Sequence, residues 1–175
     1  MNTTCFDYFD SPVGALLLIS DGEALIGLHF AGSESSDPVP NARRDPARFV
    51  AVREQLTDYF AGRLQVFDLP LDAHGTPFQK RVWNELRRLP FGETISYGEL
   101  ARRIGQRGAS RAVGRANGQN PIAIIVPCHR VIGSNGNLTG FGGGMDRKRW
   151  LLDHEARASV GQVSNLPRQL SLSLR

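Results

Sequence analysis

The sequence predicts an α/β N-terminal domain, made of a small sheet plus a helix, followed by a mainly α C-terminal domain with a helix-turn-helix. Short apolar runs bounded by turn residues fill the first half, which is the pattern of strands, whereas four later segments repeat apolar residues at helical spacing. A polar linker at 72–75 separates the two patterns, and 175 residues suffice for two short domains. We therefore expect domains at 1–75 and 76–157, and a disordered tail at 158–175.

The N-terminal domain is expected to act as a packed scaffold, because none of its residues carries obvious chemistry. Asp21-Gly22 lies between two apolar runs and is a hairpin signal. Residues 31–44 are polar and predict an exposed loop, after which Asp45-Pro46 marks the start of a helix and Gly62 its end. The predicted strands are Thr3–Phe9, Gly14–Ser20, Ala24–Phe30 and Val66–Leu71.

Four helices and one buried strand are expected in the C-terminal domain. Ser96 and Glu99 fit a capping box at the start of the second helix, and Gly105 suits its end. The second and third helices are separated by four turn residues, which is the spacing of a helix-turn-helix. The apolar run Ile122–Val126 predicts a short buried strand. The predicted helices are Thr76–Leu89, Tyr97–Ile104, Ala109–Gly118 and Met145–Arg157.

Charge is unevenly distributed along the chain. Residues 1–75 contain 11 acidic and 5 basic residues, a net charge of −6, whereas residues 76–175 contain 6 acidic and 16 basic residues, a net charge of +10. Arginine accounts for 19 of the 21 basic residues, and its guanidinium makes paired contacts to phosphate or carboxylate. This pattern favours nucleic-acid binding by the second half. A general compositional bias towards arginine is the alternative explanation.

Cysteine usage and hydropathy exclude several classes of protein. Cys5 and Cys128 are the two cysteines, too few for a disulfide framework, a four-cysteine zinc module or an iron–sulfur site. Neither they nor His29 and His74 have the spacing of metal ligands, so we expect no metal and no cofactor. No apolar run approaches 18 residues, and the acidic N-terminus is unlike a secretory signal. We expect a cytoplasmic protein that does not bind membranes.

The third predicted helix of the C-terminal domain consists mostly of small residues between arginines. Ala112 and Gly114 leave a face on which the backbone can approach a surface closely, while Arg111 and Arg115 can reach phosphates or stacked bases. Readers of the major groove project longer polar side chains towards base edges. The composition favours sequence-independent docking in the minor groove. A tightly packed internal helix is the alternative.

A candidate nucleophile follows the predicted buried strand. Cys128 precedes a glycine-rich loop, and His129 beside it is a candidate base that needs an orienting carboxylate. Glu155 on the last helix is preferred for this role over Asp153. Neighbouring side chains of an extended chain point to opposite faces, so a contact between Cys128 and His129 needs a turn or a bridging water. An inert buried cysteine is the alternative interpretation.

The order of the motifs is similar to that of the O6-alkylguanine-DNA alkyltransferases, also called methylated-DNA–protein-cysteine methyltransferases. The resemblance is strongest from Pro77 to Glu155 and implies a ribonuclease-H-like N-terminal domain. It implies a single-turnover enzyme that flips O6-alkylguanine out of double-stranded DNA and moves the alkyl group to its own cysteine. The segments that carry it are Ile95–Ala101, Ser110–Gly114, Asn120-Pro121, Ile125–Ile132, Leu138–Gly144 and Lys148–Leu152.

The resemblance also implies a role for individual residues. Cys128 would accept the alkyl group, with His129 as the base acting through water and Glu155 as its orienting partner. Asn120 would hold the active-site turn, and Tyr97 would donate to N3 of guanine. Further substrate contacts would come from the carbonyls of Cys128 and Val131 and from the loop residues Phe141 and Gly142. Arg111 would enter the vacated base stack, and the other implied DNA contacts are Ala112, Gly114, Arg115, Gly98, Gln106, Ser134 and Gln79.

The chain departs from the family pattern at two points. Some relatives have tyrosine and serine where Phe141 and Gly142 stand, which affects the size of alkyl group accepted. No full ligand set for the zinc of eukaryotic members is present, and the cysteine-rich domain of the adaptive-response regulator is missing. We therefore expect a monomeric repair protein without zinc or a transcriptional role, which could also act on O4-alkylthymine.

Two other functions fit parts of the sequence. Alkyltransferase-like proteins bind damaged DNA without enzymatic activity, but they replace the cysteine that is present here as Cys128. A cysteine hydrolase could use Cys128, His129 and Glu155, but it would turn over repeatedly on an acyl substrate and would not need the helix-turn-helix.

Overall fold

A four-stranded sheet forms the centre of the N-terminal domain in the computed structural model, which describes residues 4–32 and 40–163. The strand order is β3-β2-β1-β4, with antiparallel pairing between β1, β2 and β3 and parallel pairing of β4 with β1. The β1–β2 turn ends at Gly14, whose φ of 99° favours glycine. The strands are β1 Cys5–Ser11, β2 Gly14–Ser20, β3 Leu25–Phe30 and β4 Arg43–Arg44.

One helix completes this domain. A 3₁₀ turn at Pro46–Phe49 leads into α1, Val50–Phe60, and Gly62 follows with φ of 72°. Val52, Leu56 and Tyr59 are buried at helical spacing, so a single face of α1 enters the core. The small sheet plus a helix confirms the predicted α/β class.

The C-terminal domain is mainly helical, as predicted. Helices α3 and α4 pack against each other, and both also contact α2. Strand β5 (Ile95–Ser96) pairs in parallel with β6 (Val131–Ile132), which ties the start of α3 to the residues that follow His129. The helices are α2 Pro77–Leu86, α3 Tyr97–Arg103, α4 Ser110–Gly118 and α5 Met145–Val163.

Several local predictions were wrong. The predicted loop at 31–44 ends in β4, whose two residues pair with β1. The predicted strand Val66–Leu71 is irregular chain that joins the sheet through one bridge between Leu25 and Leu71. The connection between α3 and α4 spans residues 104–109, longer than the four residues expected. Helix α5 extends past Arg157 to Val163, and the rest of the predicted tail, 164–175, lies outside the described residues.

The predicted buried strand Ile122–Val126 was also wrong, because this segment forms a compact turn. The run is apolar because it is buried on all sides, and burial alone does not distinguish a strand from a buried turn. Leu28 on the edge strand β3 donates its N–H to Pro121 and accepts from Ala123 N–H, so the sheet holds the start of the turn. One hydrophobic core contains residues of both domains. None of the helices in the described ranges is long and apolar enough to cross a membrane.

Candidate active site and DNA-binding face

The turn before Cys128 is shaped by Asn120. Its Oδ1 accepts from Ile122 N–H at 3.0 Å, and its Nδ2 donates to the carbonyl of Val126 at 2.8 Å. Between these contacts Ile124 has φ of 70°, which is rare for a β-branched side chain and costs energy. The full burial of Ile124 and the two Asn120 hydrogen bonds offset this strain. Asn120 therefore joins the two ends of the turn that precedes Cys128.

Cys128 begins a 3₁₀ turn, Cys128–Arg130, rather than following a strand. Its side chain is buried, and burial raises the pKa of the thiol, although the hydrogen bond of Asn120 and the charge of Lys148 act in the opposite direction. The resting cysteine is therefore a protonated thiol that needs a base to react.

His129, the candidate base, lies in the same turn as Cys128. Its Nε2 lies 2.8 Å from Oε1 of Glu155, and both side chains are fully buried. Burial lowers the pKa of His129, so the neutral imidazole donates from Nε2 to Glu155. Nδ1 is buried and has no hydrogen-bond partner in the described structure, so its lone pair remains available to accept a proton. Asp153, the alternative carboxylate, is exposed.

Glu155 accepts hydrogen bonds from more groups than sequence reasoning identified. Tyr59 Oη donates to Oε1 at 2.8 Å, Arg130 donates to both carboxylate oxygens at 2.9 and 3.0 Å, and Gly92 N–H donates to Oε2 at 3.0 Å. Burial alone would raise the pKa of Glu155, but His129 and Arg130 outweigh it and hold the pKa well below its usual range. Glu155 is therefore a buried carboxylate that stays ionised.

A cavity of about 210 Å³ adjoins Cys128 and is built by both domains. Strand β3 supplies His29 and Phe30, and the glycine-rich loop supplies Phe141. The Phe30 and Phe141 rings meet edge to face at 5.6 Å. At Gly142 an added Cβ would be 3.9 Å from its nearest neighbour, so glycine there widens the cavity without being sterically required. The full lining is Leu28, His29, Phe30, Asn117, Gly118, Asn120, Ala123, Cys128, Gly140, Phe141, Gly142 and Gly143.

Tyr97 and Val131 are not among the described residues that line this cavity, and both make hydrogen bonds to the glycine-rich loop or α5. Tyr97 Oη donates to the carbonyl of Thr139 at 3.0 Å. Lys148 Nζ donates to the carbonyls of Val131 and Thr139 at 2.6 and 2.8 Å. Burial raises the pKa of Tyr97 and lowers that of Lys148. Sequence reasoning missed Lys148, although its place in the last motif was a usable signal.

Helix α4 presents its arginines to solvent. Arg111, Ala112 and Arg115 are exposed, whereas Val113 and Ala116 are buried, so α4 is a surface helix with one packed face rather than an internal one. Within 4–32 and 40–163, no ion pair joins Arg111 or Arg115 to a carboxylate. Both guanidiniums are thus available to an anionic partner.

The remaining predicted DNA contacts lie near α4 or on separate loops. Gly114 lies on α4, where a Cβ would be 3.5 Å from the ring of Tyr97, and Gly98, Gln106 and Ser134 are exposed. Gln79 is different, because its side chain closes a capping box with Thr76 at the start of α2 and donates to Gln119 at 3.0 Å. At Ser96 the box is half formed, because Ser96 accepts from Glu99 N–H while the Glu99 carboxylate binds Arg102 and Arg103.

Known proteins resemble this chain over almost its whole described length. The family model described as "6-O-methylguanine DNA methyltransferase, ribonuclease-like domain" matches residues 5–73, and that described as "DNA binding domain" of the same family matches residues 77–157. The methylated-DNA–protein-cysteine methyltransferase of Mycobacterium tuberculosis H37Rv is 53% identical over 146 residues, covering 83% of this chain and 88% of the relative. The protein of that name from Methanosarcina acetivorans is 51% identical over 148 residues, covering 84% and 95%.

A solved structure agrees with these matches. The crystal structure of Mycobacterium tuberculosis OGT in complex with DNA has a TM-score of 0.82 to this chain at 51% sequence identity, covering 88% of this chain and 94% of that chain. Both the sequence matches and the shared fold confirm the resemblance drawn from the motifs. This chain belongs to the 6-O-methylguanine DNA methyltransferase family.

Proposed function

We propose that this protein repairs DNA by transferring the alkyl group of O6-alkylguanine irreversibly to the sulfur of its own Cys128. One observation carries the proposal: a buried cysteine adjoins a cavity and a buried His129–Glu155 pair within the region that matches the family's DNA-binding domain. A thiolate is a soft nucleophile suited to attack on a saturated carbon. Each molecule acts once, because water does not readily cleave the thioether product.

The chemical step exchanges one bond for another. A bond forms between Sγ of Cys128 and the alkyl carbon while the bond from that carbon to O6 of guanine breaks. The thiol proton passes through a water to Nδ1 of His129, whose charge Glu155 then stabilises through Nε2. The departing guanine takes a proton from Tyr97 at N3, and the phenolate recovers a proton from solvent. Its raised pKa keeps Tyr97 protonated before the reaction.

Guanine binding requires the contacts of the glycine-rich loop to change. Tyr97 Oη donates to Thr139 in the free protein, and the Val131 carbonyl accepts from Lys148. Tyr97 has one hydroxyl proton, so donation to N3 replaces its contact with Thr139. The Val131 carbonyl has two lone pairs and would accept from the guanine amino group beside Lys148. The base reaches Cys128 only after leaving the duplex, at a cost of a few kcal/mol.

Duplex binding follows from the exposed side of α4. The helix enters the minor groove with its small residues towards the backbone, and Arg111 fills the space left by the flipped base. Arg115, Gln106 and Ser134 contact the sugar–phosphate backbone, which gives weak sequence preference. The protein acts as a monomer, one molecule per lesion, in the cytoplasm, where reducing conditions preserve the thiol.

The test is intact-mass spectrometry of the protein after incubation with duplex DNA that contains O6-methylguanine. We expect one methyl group per molecule, located on Cys128 by peptide mapping. Cys128→Ser should bind the same DNA and gain no methyl group, whereas the matched control Cys5→Ala should react like the parent. An unmodified Cys128 after prolonged incubation would contradict the proposal.

The same mass measurement, repeated with an acyl ester as a second substrate, separates the two other functions. A non-enzymatic damage-binding protein would retain the lesion DNA tightly while its mass stays unchanged. A cysteine hydrolase would release product repeatedly from an acyl ester, with a transient acyl adduct on Cys128. Either result contradicts alkyl transfer.

A further inference from the structure

Helix α1 of the N-terminal domain reaches the catalytic carboxylate. Tyr59 in its last turn donates a hydrogen bond to Oε1 of Glu155 at 2.8 Å, although 96 positions separate the two residues. Both side chains are fully buried, so water does not compete for the contact. The domain expected to be a scaffold therefore contacts the residue that orients the proposed base.

The hydroxyl of Tyr59 shares its acceptor with that base. Oε1 of Glu155 also accepts from Nε2 of His129 at 2.8 Å and from Arg130 at 3.0 Å. Hydrogen bonds to one carboxylate oxygen compete for the same electron density. The strength of the His129–Glu155 contact therefore depends on what Tyr59 donates.

The packing around Tyr59 fixes the direction of its hydroxyl. His154 Nε2 lies 2.8 Å from the Tyr59 carbonyl, and the His154 ring lies against the Tyr59 ring with centroids 5.3 Å apart. Phe91 and Phe67 contact other sides of the ring, at 6.0 and 5.4 Å between centroids. A ring enclosed in this way has one orientation, so the contact with Glu155 is built into the domain interface.

We propose that Tyr59 is a positioning residue for alkyl transfer, whose hydroxyl limits the negative charge that Glu155 presents to His129. The inference rests on the function proposed above and adds a role for the N-terminal domain. Tyr59 does not touch the reacting atoms, and it acts through Glu155 alone. The imidazole is held neutral before the reaction, which lets it take the Cys128 proton.

The direction of the effect follows from the charges around His129. Burial disfavours the imidazolium most strongly, Glu155 favours it, and Arg130 and Lys148 disfavour it further. Cys128 is protonated at rest and adds no charge. Without the Tyr59 hydroxyl, Oε1 keeps more negative charge and favours the imidazolium more strongly. The pKa of His129 then rises, so a larger fraction is already protonated, and unable to act as a base, at mildly acidic pH.

The deciding variant is Tyr59→Phe, which keeps the ring and removes the donor. Single-turnover methyl transfer is measured from pH 5 to pH 9 with O6-methylguanine duplex, and the pKa of His129 is read by ¹⁵N NMR without DNA. We expect both the acidic limb of the rate profile and the His129 titration to move up by about half to one pH unit. Tyr8→Phe, which removes a β1 hydroxyl that is not among the described donors to Glu155, should move neither.

A Tyr59→Phe protein whose rate profile and His129 titration match the parent's overturns the inference and leaves the proposed function intact. If the parent transfers no methyl group, the proposed function fails, while the NMR titration still tests the contact. If the Tyr59→Phe protein does not fold, NMR of the parent protein tests the inference. Its Tyr59 hydroxyl proton should give a slowly exchanging, downfield signal with an NOE to the imidazole of His129, and a rapidly exchanging proton would refute the proposal.

Discussion

Replacing Glu155 by glutamine tests how strongly the buried carboxylate holds the two domains together. The change keeps the size of the side chain and removes its charge. In the native protein the carboxylate accepts five hydrogen bonds, from Tyr59, His129, Gly92 and two nitrogens of Arg130. It is also the counter-charge of Arg130, a residue that is 5% exposed.

The size of the loss follows from counting donors. If the new amide nitrogen takes the position of Oε2, it faces the Arg130 Nε–H and the Gly92 N–H, and both lose their acceptor. If it takes the position of Oε1, three donors lose theirs. A buried donor without an acceptor costs about 1–3 kcal/mol, and breaking a buried ion pair costs about 3–5 kcal/mol. These terms overlap, so we expect a loss of about 3–5 kcal/mol in the free energy of unfolding.

Urea unfolding at pH 7.5, followed by fluorescence and circular dichroism, measures this difference. The matched control is Glu54→Gln on the exposed face of α1, which should change the free energy of unfolding by less than about 0.5 kcal/mol. The free energy of unfolding of a small protein is about 5–15 kcal/mol, so a loss of about 3–5 kcal/mol is readily resolved. A loss below about 1 kcal/mol for Glu155→Gln would falsify the donor count.

Three further outcomes are expected. Burial lowers the pKa of His29 and His129 in the folded protein, so as the pH falls below about 6.5 the unfolded chain binds protons before the folded protein does. The urea midpoint should therefore be lower at pH 5.5 than at pH 7.5, and an unchanged midpoint contradicts this. In parallel single-turnover assays, Arg111→Ala should slow repair of duplex DNA about 10-fold or more and leave the reaction with free O6-benzylguanine unchanged. Equal losses of rate on both substrates argue against insertion of Arg111 into the base stack. Lys148→Met removes a donor from the Val131 carbonyl and one of the two donors, with Tyr97, from the Thr139 carbonyl. Hydrogen exchange in the glycine-rich loop should therefore accelerate and stability should fall by about 2 kcal/mol, and unchanged exchange opposes this.

Local signals in the sequence were sufficient for most of the secondary structure. The predicted strand Gly14–Ser20 has the same limits in the structure, and α4 begins within one residue of its predicted start. Gly105 ends the region of α3 with φ of 72°, as expected of a C-cap glycine. Such features depend on neighbours a few residues apart, which is why periodicity and capping residues identify them.

The turn before Cys128 was not predictable in the same way. The run of apolar residues Ile122–Val126 fits a strand. In the structure Ile124 has a positive φ, and hydrogen bonds from Asn120 and from the edge strand β3 hold the segment. A left-handed β-branched residue is stable only where surrounding structure compensates for the strain. Part of that compensation comes from β3 of the N-terminal domain, which the local pattern of residues does not describe.

The sequence by itself determined the division into two domains, the charge of the second one, and the motifs that assign the chain to its family. Tertiary structure decided which groups meet at Glu155: Tyr59 lies 96 positions away and Gly92 lies 63 away. It also decided that His29 and Phe30 of the first domain line the cavity at Cys128. Contacts over such separations arise when two packed surfaces share one core, and the positions that meet depend on the whole fold rather than on any short stretch of residues.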